Sequence, residues 1–285
     1  MAITWAATRD ISRGRFAALP APAMIASAAL TGTLTLLAII GPWIAPYDSD
    51  ATDVLSSSQG PSAAHLLGTD SLGRDVLSRA LTGARLSFAG PAMIVLISTV
   101  LGTAIAILSA WHGGRFDRLA NRFLNILFAV PGILVAVLSS AVFGAGFWAP
   151  VLALGFVYTP YMARVVRSVA VRERHRGYVE SLQLAQMSSW RICLRHLVPN
   201  VAPMVIAQAT YNFGSALADF AAVSFIGLGI QPPAAEWGVM VADGRSEVLN
   251  GAVQQSLVAG ALIVVTVVAF NVLGAQLSNR TGARR

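Results

Sequence analysis

An all-α, polytopic membrane protein with six transmembrane helices is the fold class this sequence predicts, and three features predict it. Charged residues make up only 12% of the 285-residue chain, against 55% hydrophobic ones; a soluble domain carries about 25% charged residues. Six apolar stretches come near or exceed the roughly 20 residues that a helix needs to cross a bilayer. Arginine is divided very unevenly among the segments that join those stretches.

The first span, about 22–45, follows Arg9, Arg13 and Arg15. Its apolar core is longer than the ~7–15 residues of a secretory signal, so it is expected to stay as a membrane helix. The second, about 86–111 ("LSFAGPAMIVLISTVLGTAIAILSAW"), is apolar throughout. The third, about 123–143 ("FLNILFAVPGILVAVLSSAVF"), holds Pro131. Neighbouring helices re-satisfy the backbone groups that a proline frees, so a kink is expected there and not a break. The fourth covers about 147–166 and the fifth about 201–226, with Pro203 in its first turn, where a missing N–H does no harm. The sixth covers about 256–277. Three joining segments are long enough for specific work: 46–85, 167–200 and 227–255. Residues 1–285 read as one transmembrane domain, without tandem repeats or a soluble module.

Cytoplasmic flanks of membrane helices retain basic residues. With the N-terminus inside, sixteen of the twenty arginines fall in cytoplasmic segments, and only Arg74, Arg79, Arg85 and Arg245 fall outside. The outer segments carry eight acids, among them Asp70, Asp75, Glu236 and Asp243. Both termini and 167–200 are therefore placed in the cytoplasm, with 46–85 and 227–255 outside. The same sorting accounts for the net charge of +7 without a nucleic-acid partner. The chain has no lysine, which excludes a P-loop ATP site and a lysine Schiff base. One cysteine, Cys193, excludes a disulfide framework and a multi-cysteine metal site. The four histidines are scattered over both sides, and the patterns H-E-x-x-H, G-x-S-x-G and G-x-G-x-x-G are absent. No cofactor and no metal is expected on this chain.

The inner segment "YVESLQLAQMSSWRICLRHLVPN" (178–200) is far wetter than its surroundings. On a single helix at about 100° per residue, Val179, Leu182, Met187, Trp190, Cys193, Leu194 and Leu197 gather in one sector. Glu180, Ser181, Ser188, Arg191 and Arg195 face away, and Leu184 falls on the polar side. Pro199 is expected to end or turn the helix, because proline disfavours helical geometry in the residue before it. Two readings stand on this pattern. One is a membrane-surface helix whose arginines meet anionic lipid; the other is a docking helix with Leu184 and Met187 as exposed apolar anchors.

In the outer "HLLGTDSLGRDVLSRALTGARLSF" (65–88), Asp70 is expected to cap a helix starting near Ser71. Asp75 and Arg79 then pair at i, i+4 on an exposed face, and Leu72, Val76, Ala80 and Ala84 form an apolar stripe. The segment reads as a short helix on the outer membrane surface. In "SFIGLGIQPPAAEWGVMVADGR" (224–245), Gly227 and Gly229 suit a helix end with close backbone approach, and Pro232-Pro233 prevents continuation. Trp237 is of the type found at membrane interfaces. Asp219 is the one acid placed within a span, and a carboxylate is unfavourable enough in lipid to be a candidate functional group. It is either hydrogen-bonded to Tyr211, Ser215 or a partner subunit, or it lines a translocation path or couples to protons.

These three segments, in this order among six spans, resemble the permease subunits of ABC importers, in particular the C-type subunits of dipeptide, oligopeptide and nickel permeases. Residues 178–203 resemble the family's cytoplasmic loop of Glu-Ala-Ala, Gly and a downstream Pro-Asn. Glu180 matches the acid, and His196, Pro199, Asn200 and Pro203 match the tail. Ser181-Leu182 stand in place of the alanines, and Gln186 stands where the family's glycine allows a turn. The resemblance implies the type I importer permease fold and a coupling helix carried by Glu180, Ser181, Leu182, Leu184, Gln186, Met187 and Arg191. It implies that Asp70, Arg74, Asp75, Arg79, Trp237 and Asp219 serve binding-protein docking or the pathway.

The implied partners are a second, related permease subunit, two ATP-binding subunits or one fused ATPase to bind ATP and Mg, and an extracytoplasmic substrate-binding protein. The implied place is the bacterial cytoplasmic (inner) membrane, in contact with lipid. The implied cargo is a di- or oligopeptide or a similar small solute, with nickel or another non-peptide cargo as the alternative. Rival readings are a secondary transporter using Asp219 and a membrane-embedded enzyme. The loop resemblance counts against the first, and the missing catalytic constellations count against the second.

Overall fold

The computed structural model describes residues 21–283, so Arg9, Arg13, Arg15, Arg284 and Arg285 lie outside the described residues. Among the described residues the regular structure is helical. Helices α1 (Ala21–Ile44), α2 (Val76–His112), α5 (Trp148–Arg174) and α11 (Gln254–Ala283) hold the four clear candidates for crossing a membrane. Helices α3 (Gly114–Ala129) and α4 (Gly132–Phe143) are long enough only as a pair, and the pair is bent by 78°. Helix α8 (Val198–Phe225) has the length, at 28 residues, but Gln208, Asn212 and Asp219 leave it less apolar than the four. Short helices α6 (Gly177–Leu184), α7 (Ser189–Ile192), α9 (Trp237–Asp243) and α10 (Arg245–Leu249) complete the α-helices among the described residues.

Helix α2 is the hub, packed against α1, α5 and α8. Its contact with α5 is close because glycines face the partner helix: a Cβ at Gly102 would lie 2.7 Å from Met162 Cβ, and one at Gly155 would lie 2.9 Å from Ile97 Cγ2. Between membrane helices, where lipid is as apolar as leucine, such close approach is a main source of association. Three buried clusters follow one another along the bundle. Phe88, Leu217, Trp237 and Phe270 lie towards the acid-rich loops. Ile94, Leu154 and Phe220 hold the middle. Met162, Val166, Leu197 and Val201 lie towards the arginine-rich loops.

Several boundaries differ from those the sequence suggests. Helix α2 begins at Val76, ten residues before the expected second span, so 76–85 is the span's own first turns and not a separate surface helix. Asp70 does not cap it. Asp70 Oδ1 accepts from the backbone N–H of Leu72 and of Arg74, each at 2.9 Å, closing a turn. The cap is Asp75, whose Oδ2 accepts from Ser78 N–H at 2.8 Å. Gly73 permits the intervening turn: its φ is +75°, and a Cβ there would run into the Asp53 carbonyl.

At Pro131 the third span breaks where only a kink was expected. Val130 is extended, as the residue before a proline prefers, and Pro131 starts the new helix. The first half, α3, is amphipathic, with Arg115, Arg118 and Arg122 among exposed Leu119, Phe123 and Ile126. Helix α5 continues to Arg174, eight residues past the expected fourth span. Pro199, expected to end a helix, lies inside a continuous one. A π-helical stretch, Cys193–Leu197, precedes it, with Val198 N–H bonding Cys193 C=O. That wider turn accommodates the proline ring, which clashes with the carbonyl four residues back in a regular α-helix.

Candidate functional site

Residues 178–198 do not form one helix. Helix α6 ends at Leu184, and the chain turns before α7. The end is a Schellman motif: Gln186 N–H donates to Gln183 C=O at 2.9 Å, and Met187 N–H donates to Leu182 C=O at 3.1 Å. Gln186 takes the left-handed residue's place, with φ +55°. The single-helix wheel therefore groups residues that the turn separates. Val179, Cys193 and Leu197 are buried as expected, but Trp190 and Leu194 are exposed. Leu184 is 85% exposed at the tip of α6; Met187, expected beside it as an exposed anchor, is half-buried, as is Leu182. Glu180, Ser181, Gln186 and Arg191 are exposed.

A polar brace fixes this tip to the bundle. Glu173, 2% exposed at the end of α5, forms an ion pair with Arg176 Nε at 3.1 Å and accepts from Tyr178 Oη at 3.1 Å. Tyr178 Oη in turn accepts from Asn200 Nδ2 at 2.9 Å, which joins α5, α6 and α8. Burial pushes the Tyr178 phenol pKa up, so the group stays protonated as a donor. Nearby, Arg174 donates to the Ala110 carbonyl at 2.7 Å, tying α5 to the last turn of α2. Burial also pushes the Cys193 thiol up. Sequence reasoning missed Glu173, whose only signal was its spacing of three residues to Arg176.

At the other end of the bundle, the outer candidates come together as a buried cluster. Arg74 Nε lies 2.6 Å from Asp70 Oδ2, and Arg74 Nη2 lies 3.6 Å from Asp243 Oδ2. Arg79, fully buried, approaches Asp70 at 3.7 Å, Asp50 at 3.6 Å and Asp243 at 3.9 Å, and it donates to the Ser49 carbonyl at 3.1 Å. The expected Asp75–Arg79 pair on an exposed face is therefore replaced. Asp75 is buried and meets His65 Nδ1 at 2.9 Å, because its carboxylate is committed to capping α2. Burial pushes the Asp243 carboxyl up, against the pull of Arg74 and Arg79.

Trp237 does not sit at a membrane interface either. It is 2% exposed, its Nε1 donates to the Ala80 carbonyl at 2.9 Å, and its ring meets Phe88 edge-on at 5.8 Å. Glu236 beside it, which sequence reasoning passed over, caps α9 by accepting from Val239 N–H at 3.0 Å and takes the Ser87 hydroxyl at 3.1 Å. Burial pushes its carboxyl up. Asp219 accepts from neither Tyr211 nor Ser215: its hydroxyl donor is Tyr158 Oη, at 2.8 Å.

Against known proteins, residues 98–282 match the family described as the binding-protein-dependent transport system inner membrane component. The chain belongs to this family of transport permeases. Residues 22–61 of the permease also match the N-terminal transmembrane domain of oligopeptide transport permease C. It is similar to a probable D,D-dipeptide transport system permease protein of Escherichia coli, at 36% identity over 89% of this chain and 85% of that protein. A glutathione transport system permease protein of Escherichia coli is 37% identical over 85% of this chain and 80% of that protein. Among solved structures, the inward-facing methionine ABC transporter MetNI shares the fold, with a TM-score of 0.55 and 18% identity over 71% of the permease and 95% of that chain. The permease is thus a multi-span, all-α component of an ABC import system.

Proposed function

We propose that the permease forms half of the translocation pathway of an ATP-binding-cassette importer for di- or oligopeptides, with ATP hydrolysis supplied by partner subunits. The observation that carries this reading is the α6 tip. It lies at the arginine-rich end, exposed at Leu184 and braced through Glu173, Tyr178 and Asn200. A loop free to move would absorb a push; a braced tip passes it to α5 and α8 as rigid-body motion of the kind transporters use. On this reading Glu180, Ser181, Leu182, Leu184, Gln186, Met187 and Arg191 meet the ATPase, and Leu184 is the apolar anchor.

The arginine-rich end then faces the cytoplasm, together with both termini, by the retention of basic flanks. The acid-rich end faces the substrate-binding protein. There Asp70, Arg74, Asp75, Arg79 and Trp237 act by holding the docking platform in shape, since their side chains are buried. A second permease subunit supplies the other half of the path. The peptide cargo is supported by the similarity to dipeptide and glutathione permeases.

Affinity purification of the chain from mild detergent tests the partner assignment. ATP-binding subunits and a second permease are expected to co-purify, and the preparation is expected to hydrolyse ATP. Recovery of a transport-competent chain with no ATPase overturns the reading.

A further inference from the structure

The side of the bundle that α5 and α8 leave uncovered is polar at membrane depth. Along α8, Gln208, Tyr211, Ser215 and Asp219 recur every three or four residues, so they share one side of the helix, and each is half-buried or exposed. From α5, Tyr158 donates its hydroxyl to Asp219 Oδ2 at 2.8 Å, and the Tyr161 ring lies 5.7 Å from that of Tyr158. Tyr161 and Tyr211 are each 44% exposed. Elsewhere the long helices present plain hydrocarbon outward, with Leu36 and Ile39 on α1 and Leu257 and Val264 on α11.

A carboxylate facing lipid is strongly disfavoured, and among the described residues no arginine pairs with Asp219. The side that carries it therefore turns towards water, a partner subunit or a charged ligand, and not towards lipid. An acid with a phenol donor and further aromatic rings beside it is suited to a cation: the carboxylate supplies charge, and the ring faces supply the quadrupole attraction. One phenol hydrogen bond leaves the second carboxylate oxygen of Asp219 able to take a donor such as an ammonium group.

We propose that this side lines a water-filled path and that Asp219, with Tyr158 and Tyr161, holds the cationic group of the transported solute in passage, such as the free α-ammonium of a peptide. The inference rests on reading the chain as half of an importer pathway. A single carboxylate with aromatic neighbours also suits a way-station, because conduction needs binding weak enough to release.

The chain's single cysteine makes a direct test possible. In Cys193→Ser, introduce Ser215→Cys, one helical turn from Asp219, and assemble the permease with its partner subunits in membrane vesicles. Label with the cationic trimethylammonium-ethyl and the anionic sulfonatoethyl methanethiosulfonates, each rate normalised to that with a free thiol. The cationic reagent is expected to react at least tenfold faster. Adding Asp219→Asn should abolish that preference, while Asp219→Glu should keep it. A free-amine dipeptide should slow the labelling more than its N-acetyl counterpart does. An unreactive thiol, covered by lipid or the partner subunit, overturns the proposal, and so does a preference that survives Asp219→Asn. ATP-dependent uptake of a labelled dipeptide by the same vesicles separates the two readings. Uptake without the charge preference overturns the cation site and leaves the importer standing; the preference without uptake supports the cation site and overturns the import of that peptide through it.

Discussion

Gln186 holds φ at +55°, a left-handed conformation that costs a residue with a Cβ about 1–2 kcal/mol. The Schellman motif around it requires that conformation, and the C-terminus of α8 shows the unstrained version. There Gly227, at φ +79°, occupies the same position, with Gly227 N–H on Ser224 C=O and Leu228 N–H on Val223 C=O. The two helix ends share one hydrogen-bond pattern and differ in the residue at its centre. Gln186→Gly is therefore expected to stabilise the fold by about 0.5–1 kcal/mol, since glycine meets no Cβ penalty there but loses more chain entropy on folding. Thermal unfolding in detergent checks this; a lower midpoint in the glycine variant contradicts the strain assigned to the turn. The same glutamine explains why the turn was hard to foresee. Without glycine or proline between 177 and 198, the apolar spacing carried the wheel straight through the turn.

Helix α9 depends on the tripeptide Glu236-Trp237-Gly238. The glutamate caps the helix, the tryptophan fills the space against α2, and the glycine lets α9 lie on α8: a Cβ at position 238 would stand 2.4 Å from the Ala221 carbonyl oxygen. Gly238→Ala is expected to destabilise by about 1–3 kcal/mol, because the contact is backbone and has no flexible side chain to yield. Limited proteolysis within 227–253 checks it, and unchanged protection contradicts the close packing. Helices such as α1 and α11 were legible in the sequence because an unbroken apolar run of membrane length has few other solutions. The third span was not, since Pro131 is tolerated inside some membrane helices and only the packing of α3 shows that it breaks this one. The outer segment misled for another reason. Asp70 and Asp75 are equally good caps by residue type, and the choice falls to Asp75 because Gly73 turns the chain first. A short Glu-Trp-Gly run carries no periodic signal at all.

Across the chain, the buried arginines tie distant segments together. Arg79 on α2 reaches Asp50 and Asp70 before it and Asp243 on α9, so one side chain holds the acid-rich loops from both halves of the sequence. Removing one partner of a buried charge cluster leaves the others uncompensated, at about 3–5 kcal/mol. Arg79→Ala is expected to lower the thermal midpoint sharply and to cut the yield of folded protein, whereas Arg85→Ala, outside the cluster, is expected to change neither. Equal behaviour of the two variants contradicts the structural role given to Arg79. Composition placed all these charges on one side of the membrane, but pairing them required the fold, because Arg79 meets partners 29 and 164 residues away and not the acid one turn before it.

On the proposed reading, the α6 tip carries the ATPase stroke into the membrane helices. Glu180→Arg reverses an exposed charge on that tip and leaves the brace of Glu173, Tyr178 and Asn200 in place. ATP hydrolysis and peptide uptake, measured together in vesicles holding the assembled importer, test this coupling role. The expected result is continued hydrolysis with uptake reduced at least tenfold, and normal uptake per ATP in the variant contradicts it.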